Sequence, residues 1–149
     1  TTDIYTLSLH DALPISTQII LDTNVLVAAF KSSRGSSYRL LSLVDTGKFQ
    51  LNVSTPLVAE YEEILRRETP YINATDVVDY LCSIANRHKI FFLWRPVLKD
   101  PDDDFILELA VKCNAIIVTW NIKDFKKAAR FGINVMTPKE YLQQRGELP

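Results

Sequence analysis

Residues 18–30 read QIILDTNVLVAAF, and they carry the clearest sign of how this chain folds. The apolar run at residues 19–21 is typical of a buried strand, and a mostly apolar helix is predicted over residues 24–30. Asp22 lies between the two. A carboxylate there either caps the following helix or stands in a cleft at the carboxyl end of the strand, and the sequence leaves both interpretations open.

The same alternation of short apolar runs and helical patterns continues along the chain. It predicts an α/β fold, with a doubly wound parallel sheet of four to five strands and helices on both faces. Cap signals are expected at Thr55, Thr75 and Thr137, the last in a capping box with Glu140. Further strands are predicted over residues 49–53, 90–94, 115–119 and 133–136, and helices over residues 36–46, 55–67, 75–86, 100–112 and 124–130 and from residue 137 onward.

Length and composition narrow the class of protein. The 149 residues suggest one domain, expected over residues 17–146 with a tail at 147–149. A net charge of −1 gives no global attraction for nucleic acid, so a binder would need a local basic patch. No apolar run approaches the roughly 20 residues that cross a bilayer. Two distant cysteines form no metal or redox pattern, and we expect a cytoplasmic protein.

Residues 1–16 read TTDIYTLSLHDALPIS and are treated apart from the domain. They have no basic start and no continuous apolar run, so they do not form a signal peptide. They resemble translated sequencing-adapter read-through. We therefore expect a non-native or disordered leader, and no catalytic role for His10 or Asp11.

Glu60 is the second notable acid. Leu57, Glu60 and Ile64 share one face of the helix predicted over residues 55–67, so the glutamate interrupts a core-facing column, whereas Glu63 points outward. A carboxylate beside the core needs a partner. That partner is either a basic side chain or a ligand in a cleft.

Four aspartates fall within residues 100–104, around Pro101. The helix dipole favours acids in a first turn, which explains one or two of them. The mutual repulsion of four suggests a nearby cation. Spacing places Asp103 on the inward face of the helix, whereas Asp104, which shares a column with Glu108, is expected to face solvent.

A fourth polar segment follows the predicted strand at 115–119. Thr119 ends that strand, so Asn121 and Asp124 should lie at the same sheet edge as Asp22. Asp124 either joins a site there or only caps the next helix. Clustered carboxylates without cysteine or histidine suit a hard cation, Mg²⁺ or Mn²⁺, which activates water and neutralises a phosphodiester.

Taken together, these segments resemble the PIN domain over about residues 18–144, and most closely the PIN proteins of VapBC-type toxin–antitoxin modules. The resemblance is carried by Leu21-Asp22-Thr23-Asn24, by residues 53–56 leading to Glu60, by the helix opening at residues 100–103, by residues 117–125 and by the ending at residues 132–138. It implies a metal-dependent endoribonuclease, a homodimer and an antitoxin partner.

Carried over position by position, the resemblance implies catalytic and metal-binding roles for Asp22, Glu60 and Asp103, with Asn24 and Thr119 supporting them. Many family members have an acid where this chain has Asn121, and Asp124 is the nearest substitute. Because an asparagine brings no negative charge, one-metal and two-metal catalysis both stay open.

Basic residues near the predicted site are candidates for RNA contacts. Trp120 is a candidate for base stacking, or else a core or dimer residue. The alternative for the basic residues is a solvated helix face. The candidates for RNA phosphates are Lys123, Lys126, Lys127 and Arg130 on one predicted helix, and Lys31, Arg34 and Arg39 around the loop after the first helix.

Individual residues also bear on functions other than RNA cleavage. A catalytically degenerate PIN fold that binds RNA or a protein is the alternative that Asn121 motivates. A phosphatase would need an aspartate where Asn24 stands, and a phospho-acceptor receiver would need an acid before Asp22, where Leu21 stands. The chain also has no Walker A loop and no GxGxxG.

Overall fold

The computed structural model describes residues 17–89 and 101–148, with the side chains of all of these except 101–103. In this part of the chain, five strands form one parallel sheet, which is flanked by helices. The predicted α/β class and the parallel sheet of four to five strands are confirmed. The strands are β1 (Thr17–Leu21), β2 (Phe49–Ser54), β3 (Asn86–His88), β4 (Ile116–Val118) and β5 (Val135–Met136).

Six α-helices and one 3₁₀ helix are described. The 3₁₀ helix (Ile122–Phe131) occupies the place of the helix predicted over residues 124–130. The α-helices are α1 (Thr23–Lys31), α2 (Ser36–Leu41), α3 (Thr55–Glu68), α4 (Ala74–Ile84), α5 (Pro101–Cys113) and α6 (Pro138–Gln144).

The strand order β3-β2-β1-β4-β5 determines where a cleft opens. The chain runs outward from β1 in both directions, with β2 on one side and β4 on the other, so the order reverses between β1 and β4. Doubly wound sheets bind ligands at such a switch point, outside the carboxyl ends of the strands. Leu21 pairs with Val118 there, so the residues that follow them emerge side by side.

The buried core explains the strongest sequence signal. Ile19, Ile20 and Leu21 are fully buried because β1 is the central strand and both of its faces are covered. Helix α1 buries Val25 and Leu26 against this core. The apolar run and the apolar helix of residues 18–30 are thus two adjacent elements, β1 and α1, of one core.

Two predicted helix caps are wrong by one or two residues. Ser54, not Thr55, caps α3, and its hydroxyl accepts a hydrogen bond from the backbone N–H of Leu57. Asn73, not Thr75, caps α4. In each case the residue that caps is the last one with extended backbone, and several neighbouring side chains have the chemistry to do so. The capping box predicted at residue 137 is confirmed.

A short strand lies where the sequence predicted none. The strand expected at 90–94 lies outside the described residues, and the structure has β3 at Asn86–His88, where the end of a helix was expected. It is a polar edge strand, so it carries no apolar signal. The buried side chain of Asn52 anchors it, through a contact of 2.9 Å between Asn52 Oδ1 and His88 Nε2.

Three further features complete the fold. The helix predicted over 36–46 ends at Leu41 and continues as turns to Gly47, whose φ of 81° is in the left-handed region. The carboxylate of Glu147 bonds to Lys48 Nζ at 2.6 Å, and Leu148 packs against the core. None of the described helices combines the length and apolar character that a bilayer crossing requires.

Candidate active site

Asp22 lies at the carboxyl end of β1 and is 7% exposed. It caps α1, because its Oδ1 accepts a hydrogen bond of 2.8 Å from the backbone N–H of Thr23. Its Oδ2 accepts from Thr119 Oγ1 at 2.7 Å and from Asn24 Nδ2 at 3.2 Å. The capping interpretation is therefore correct, and the same carboxylate is also fixed by side chains from two other positions.

Thr119 joins the segments that meet at the switch point. Its buried hydroxyl donates to Asp22 and accepts from Asn24 Nδ2 at 3.3 Å and from the backbone N–H of Asn121 at 3.0 Å. The end of β1, the first turn of α1 and the loop after β4 are thus tied by one oxygen. The structure brings together Asp22, Asn24 and Thr119, as the sequence predicted.

Glu60 reaches the same place from α3. Its Oε2 accepts a hydrogen bond of 2.5 Å from Thr23 Oγ1, and the side chain is half-buried. Thr23 is the residue whose N–H binds Asp22. The two carboxylates are therefore connected through a single residue at the start of α1.

Tyr61 binds the end of β1, at the residue that directly precedes Asp22. Its ring is buried, and its hydroxyl donates to the carbonyl oxygen of Leu21, the last residue of β1. Burial raises the pKa of Tyr61 well above its usual value, and the negative charges of Asp22 and Glu60 raise that pKa further. The hydroxyl consequently stays protonated and keeps donating to the strand end.

These residues line an open cleft of about 430 Å³, which we call the acidic cleft. Four carboxylates line it and only one cationic side chain, that of Lys31, does so among the described residues. Such an excess of negative charge attracts a cation into the cleft. The polar side chains that line it are Asp22, Thr23, Asn24, Lys31, Glu60, Glu68, Asn121 and Asp124.

Asn121 and Asp124 form one rim of the cleft, on the segment that follows β4. Both are exposed. Asn121 occupies the cap position of the 3₁₀ helix without a side-chain bond to it, and Asp124 lies in its first turn. The cap position of the whole element therefore belongs to Asn121, and Asp124 directly precedes a kink at Phe125, where the backbone angles are not helical.

The acidic opening of α5 gives one correction. Asp104 and Glu108 were expected in solvent, but each is only 6% exposed. Helix α5 packs against the sheet, α3 and the 3₁₀ helix, so that residues 106–110 are all buried. Spacing alone does not show that nearly every face of the helix is covered. The side chain of Asp103 lies outside the described residues.

Comparison with known families settles which family this architecture represents. A family model described as "PIN domain" matches residues 18–123, which is more than half of the chain. The chain belongs to the PIN domain family. A comparison with curated proteins found no significant match.

Solved structures show the same PIN fold. VapBC2 from Rickettsia felis, solved bound to a DNA fragment from its promoter, is 20% identical over 80% of this chain and 97% of its own, with a TM-score of 0.56. VapBC-1 from nontypeable Haemophilus influenzae is 19% identical over 83% and 99%, with a TM-score of 0.58. A PilT N-terminus domain protein from Sulfolobus solfataricus P2 is 13% identical over 89% and 97%, with a TM-score of 0.59.

The donor atoms that line this PIN domain's acidic cleft are of the type that hard cations prefer. Carboxylate, amide and hydroxyl oxygens line the described cleft, with neither thiol nor imidazole, and such donors fit a hard divalent cation. Among the side chains that the structure describes, no three acids, histidines or cysteines come together closely enough to hold a metal. A set of three such ligands would include a side chain from outside them, whereas one or two carboxylates with water are enough for Mg²⁺.

The basic residues that the sequence singled out fall into three places. Lys31 lines the acidic cleft itself. Arg34 and Arg39 are exposed and line a different groove, beside α2. Four more are exposed on the 3₁₀ helix, next to the rim of the acidic cleft but not lining it; they are Lys123, Lys126, Lys127 and Arg130.

Sequence reasoning missed the roles of two residues of the cleft. Thr23 links the two carboxylates, and nothing in its sequence position distinguishes that contact from a simple helix start. Glu68 was detectable, because Glu60, Ile64 and Glu68 are spaced by four and so line one face of α3. Lys31, which the sequence analysis named as a candidate for phosphate contacts, lines the cleft from the last turn of α1.

Proposed function

We propose that this PIN domain is a metal-dependent endoribonuclease that hydrolyses RNA phosphodiester bonds in the acidic cleft. The observation that carries the proposal is the connected pair Asp22 and Glu60 at the switch point of the sheet. Asp22 receives three hydrogen bonds and Glu60 is held through Thr23. Two carboxylates held together against their own repulsion are positioned for a cation.

Asp22, Glu60, Asp103 and Asp124 are the residues we propose to hold Mg²⁺ or Mn²⁺. When bound, such an ion activates water and neutralises charge on the phosphodiester. All four side chains offer carboxylate oxygens, which is the chemistry that these ions prefer. Asn121 adds an amide oxygen at the rim without a charge.

The supporting residues keep the carboxylates oriented. Thr119 and Asn24 both donate to Asp22 Oδ2, so that oxygen has a fixed direction. A preorganised polar site of this kind needs no rearrangement when charge develops on the substrate. Lys31, inside the cleft, and the four basic residues of the 3₁₀ helix beside it would hold the phosphates of the RNA.

We further propose that the chain is the toxin of a cytoplasmic toxin–antitoxin pair and acts as a homodimer. The support is the fold that it shares with two VapBC proteins, together with the family match. Copurification with the product of an adjacent gene, and loss of cleavage on adding that product, would test the antitoxin. Light scattering would test the dimer.

The cleavage test uses a panel of structured and single-stranded RNAs during titration with Mn²⁺ and Mg²⁺. Substitutions Asp22→Asn, Glu60→Gln and Asp103→Asn should each lower metal-dependent cleavage by about 100-fold or more, since even residues that only orient ligands typically cost 10- to 100-fold. Glu63→Gln is the matched control, because Glu63 is exposed on the same helix as Glu60. Wild-type rates in Asp22→Asn would reject the proposal.

A second candidate function follows from Asn121. An amide in place of an acid favours a degenerate PIN fold that binds RNA or a protein without cutting. Tight RNA binding with no turnover at any concentration of Mn²⁺ would establish it. Substitution Asn121→Asp restores the negative charge, and recovery of cleavage in that variant would assign the loss to this position.

A further inference from the structure

Another cavity, of about 360 Å³, lies at the opposite edge of the sheet from the acidic cleft, and we call it the amino-end pocket. Phe49, the first residue of β2, lines it. Arg145 lines it too, and bonds to Thr17, the first residue of β1. The acidic cleft lies beyond the carboxyl ends of these parallel strands. The two sites are therefore separated by the length of the central strands.

Tyr141, on α6, lines this pocket and has a buried hydroxyl without a hydrogen-bond partner in the described part of the chain. The residue is 0% exposed, and its ring packs edge-on against Phe49, with 5.9 Å between the ring centroids. A buried polar group without a partner is costly, and nearly all such groups in folded proteins are bonded. Burial raises the pKa of Tyr141, while the charge of Arg145 acts in the opposite direction. The hydroxyl consequently stays protonated and can donate to a ligand.

Arg145 gives the pocket its positive charge. Its guanidinium donates to Thr17 Oγ1 at 2.9 Å and to the carbonyl oxygen of Lys48 at 3.1 Å, and both acceptors are neutral. It forms no ion pair with any side chain that the structure describes. Glu147, the one described carboxylate of the wall, is already paired with Lys48 at 2.6 Å and with Arg39 at 3.2 Å. The charge of Arg145 is thus left unbalanced within the described wall.

The remainder of the wall is largely apolar. Leu43, Phe49 and Leu142 line the pocket and belong to the hydrophobic core. Small-molecule sites typically have volumes of roughly 300–1,000 Å³, with apolar walls and a few polar groups that fix the orientation of the ligand. A small molecule with an apolar body and one anionic end matches this pocket in size, polarity and charge.

We propose that the amino-end pocket binds a small carboxylic acid with an apolar body, whose carboxylate accepts hydrogen bonds from Arg145 and Tyr141. The planar guanidinium matches the geometry of a carboxylate. One unbalanced cation favours a monoanion over a phosphate ester, which carries more negative charge and would lie near Glu147. Solvent does not reach the Tyr141 hydroxyl in the free protein, so binding includes a small shift of the wall.

The first experiment titrates phenylacetate into the whole chain and follows the backbone amides by proton–nitrogen NMR. A Kd of about 1 mM is the affinity expected of a probe of this size. The amides of Leu142 and Gln144, beside the pocket, should shift, whereas those of Asn24 and Asn121 in the acidic cleft should not. Phenylacetamide is the matched neutral probe. It should bind about 10-fold more weakly or worse, because it cannot accept a charge-assisted hydrogen bond.

Two variants identify the groups that hold the carboxylate. Tyr141→Phe should weaken phenylacetate binding about 10-fold but leave the melting temperature of the free protein unchanged or higher, because the hydroxyl removed has no partner. Tyr61→Phe is the matched control for stability, since Tyr61 is equally buried but donates to Leu21, and its melting temperature should fall. Arg145→Gln should weaken binding about 10-fold or more. Arg66→Gln should not change it, because Arg66 also makes two side-chain bonds but lies on α3.

Three results would overturn the inference. Equal affinities for phenylacetate and phenylacetamide would show that the pocket does not select a carboxylate. A melting temperature that falls as far in Tyr141→Phe as in Tyr61→Phe would show that the hydroxyl already has a partner in the free protein. If no amide beside the pocket shifts at about 10 mM phenylacetate, ten times the expected Kd, the pocket does not take this class of ligand. These measurements involve neither RNA nor metal, so their outcome is independent of the proposed nuclease.

Discussion

Replacing Thr119 by valine removes one hydroxyl and nearly nothing else. That hydroxyl donates to the buried carboxylate of Asp22 at 2.7 Å and accepts two further hydrogen bonds. A hydrogen bond to a charged group contributes about 1.5–3 kcal/mol to stability, against about 1 kcal/mol for a neutral one. We therefore expect Thr119→Val to lower the free energy of unfolding by roughly 2–3 kcal/mol, and to reduce cleavage because Asp22 loses its orientation.

Thr69→Val is the matched control for this prediction. Thr69 is also fully buried, but its hydroxyl makes one bond, to the carbonyl of Leu65 at 2.7 Å. The control should lose only about 1 kcal/mol and retain cleavage. Urea unfolding followed by circular dichroism gives both free energies, provided that the slopes agree. Equal losses for the two variants, or full cleavage by Thr119→Val, would refute the reasoning.

Four further predictions follow from the described contacts. Tyr61→Phe removes a buried hydroxyl bond and should lower the free energy of unfolding by about 1 kcal/mol in urea. Burial lowers the pKa of His88, so the unfolded chain takes up a proton at a higher pH than the native chain does, and the free energy of unfolding falls as the pH drops below about 6.5. His88→Gln should flatten this loss between pH 7.5 and 5.5. An unchanged slope of unfolding free energy against pH would contradict the assignment. Asp104→Ala should cost about 1–3 kcal/mol because the side chain is buried, whereas exposed Asp79→Ala should stay within about 0.5 kcal/mol. Asn121→Asp should lower the Mn²⁺ concentration for half-maximal binding, measured by calorimetry, and weaker binding would exclude this position from the metal site.

The sequence predicted the centre of the molecule better than its edges. The apolar run before Asp22 is decisive because a central parallel strand is buried on both faces and contains almost nothing polar. β3 was missed because an edge strand of polar residues has no such pattern. Asp104 was misplaced because helical spacing shows which residues share a face but not how many faces the tertiary structure covers.

The candidate site was predictable to the same extent. Asp22 and Thr119 end neighbouring strands, and parallel strands bring their carboxyl ends together, so topology alone predicted that they meet. The bond from Thr23 to Glu60 and the anchoring of Trp120 by Ser37 depend on how helices pack against each other. No spacing rule within one element specifies such contacts.

The most direct test of the proposed nuclease compares cleavage by the wild type and by Asp22→Asn as Mn²⁺ is titrated against single-stranded RNA. Asparagine caps a helix as well as aspartate does, so the variant should unfold cooperatively at a similar urea concentration. We predict that cleavage by the wild type rises to saturation with Mn²⁺ and that the variant stays at the rate without metal. Equal cleavage by the two proteins, or cleavage that ignores Mn²⁺, would contradict a metal-dependent reaction at Asp22.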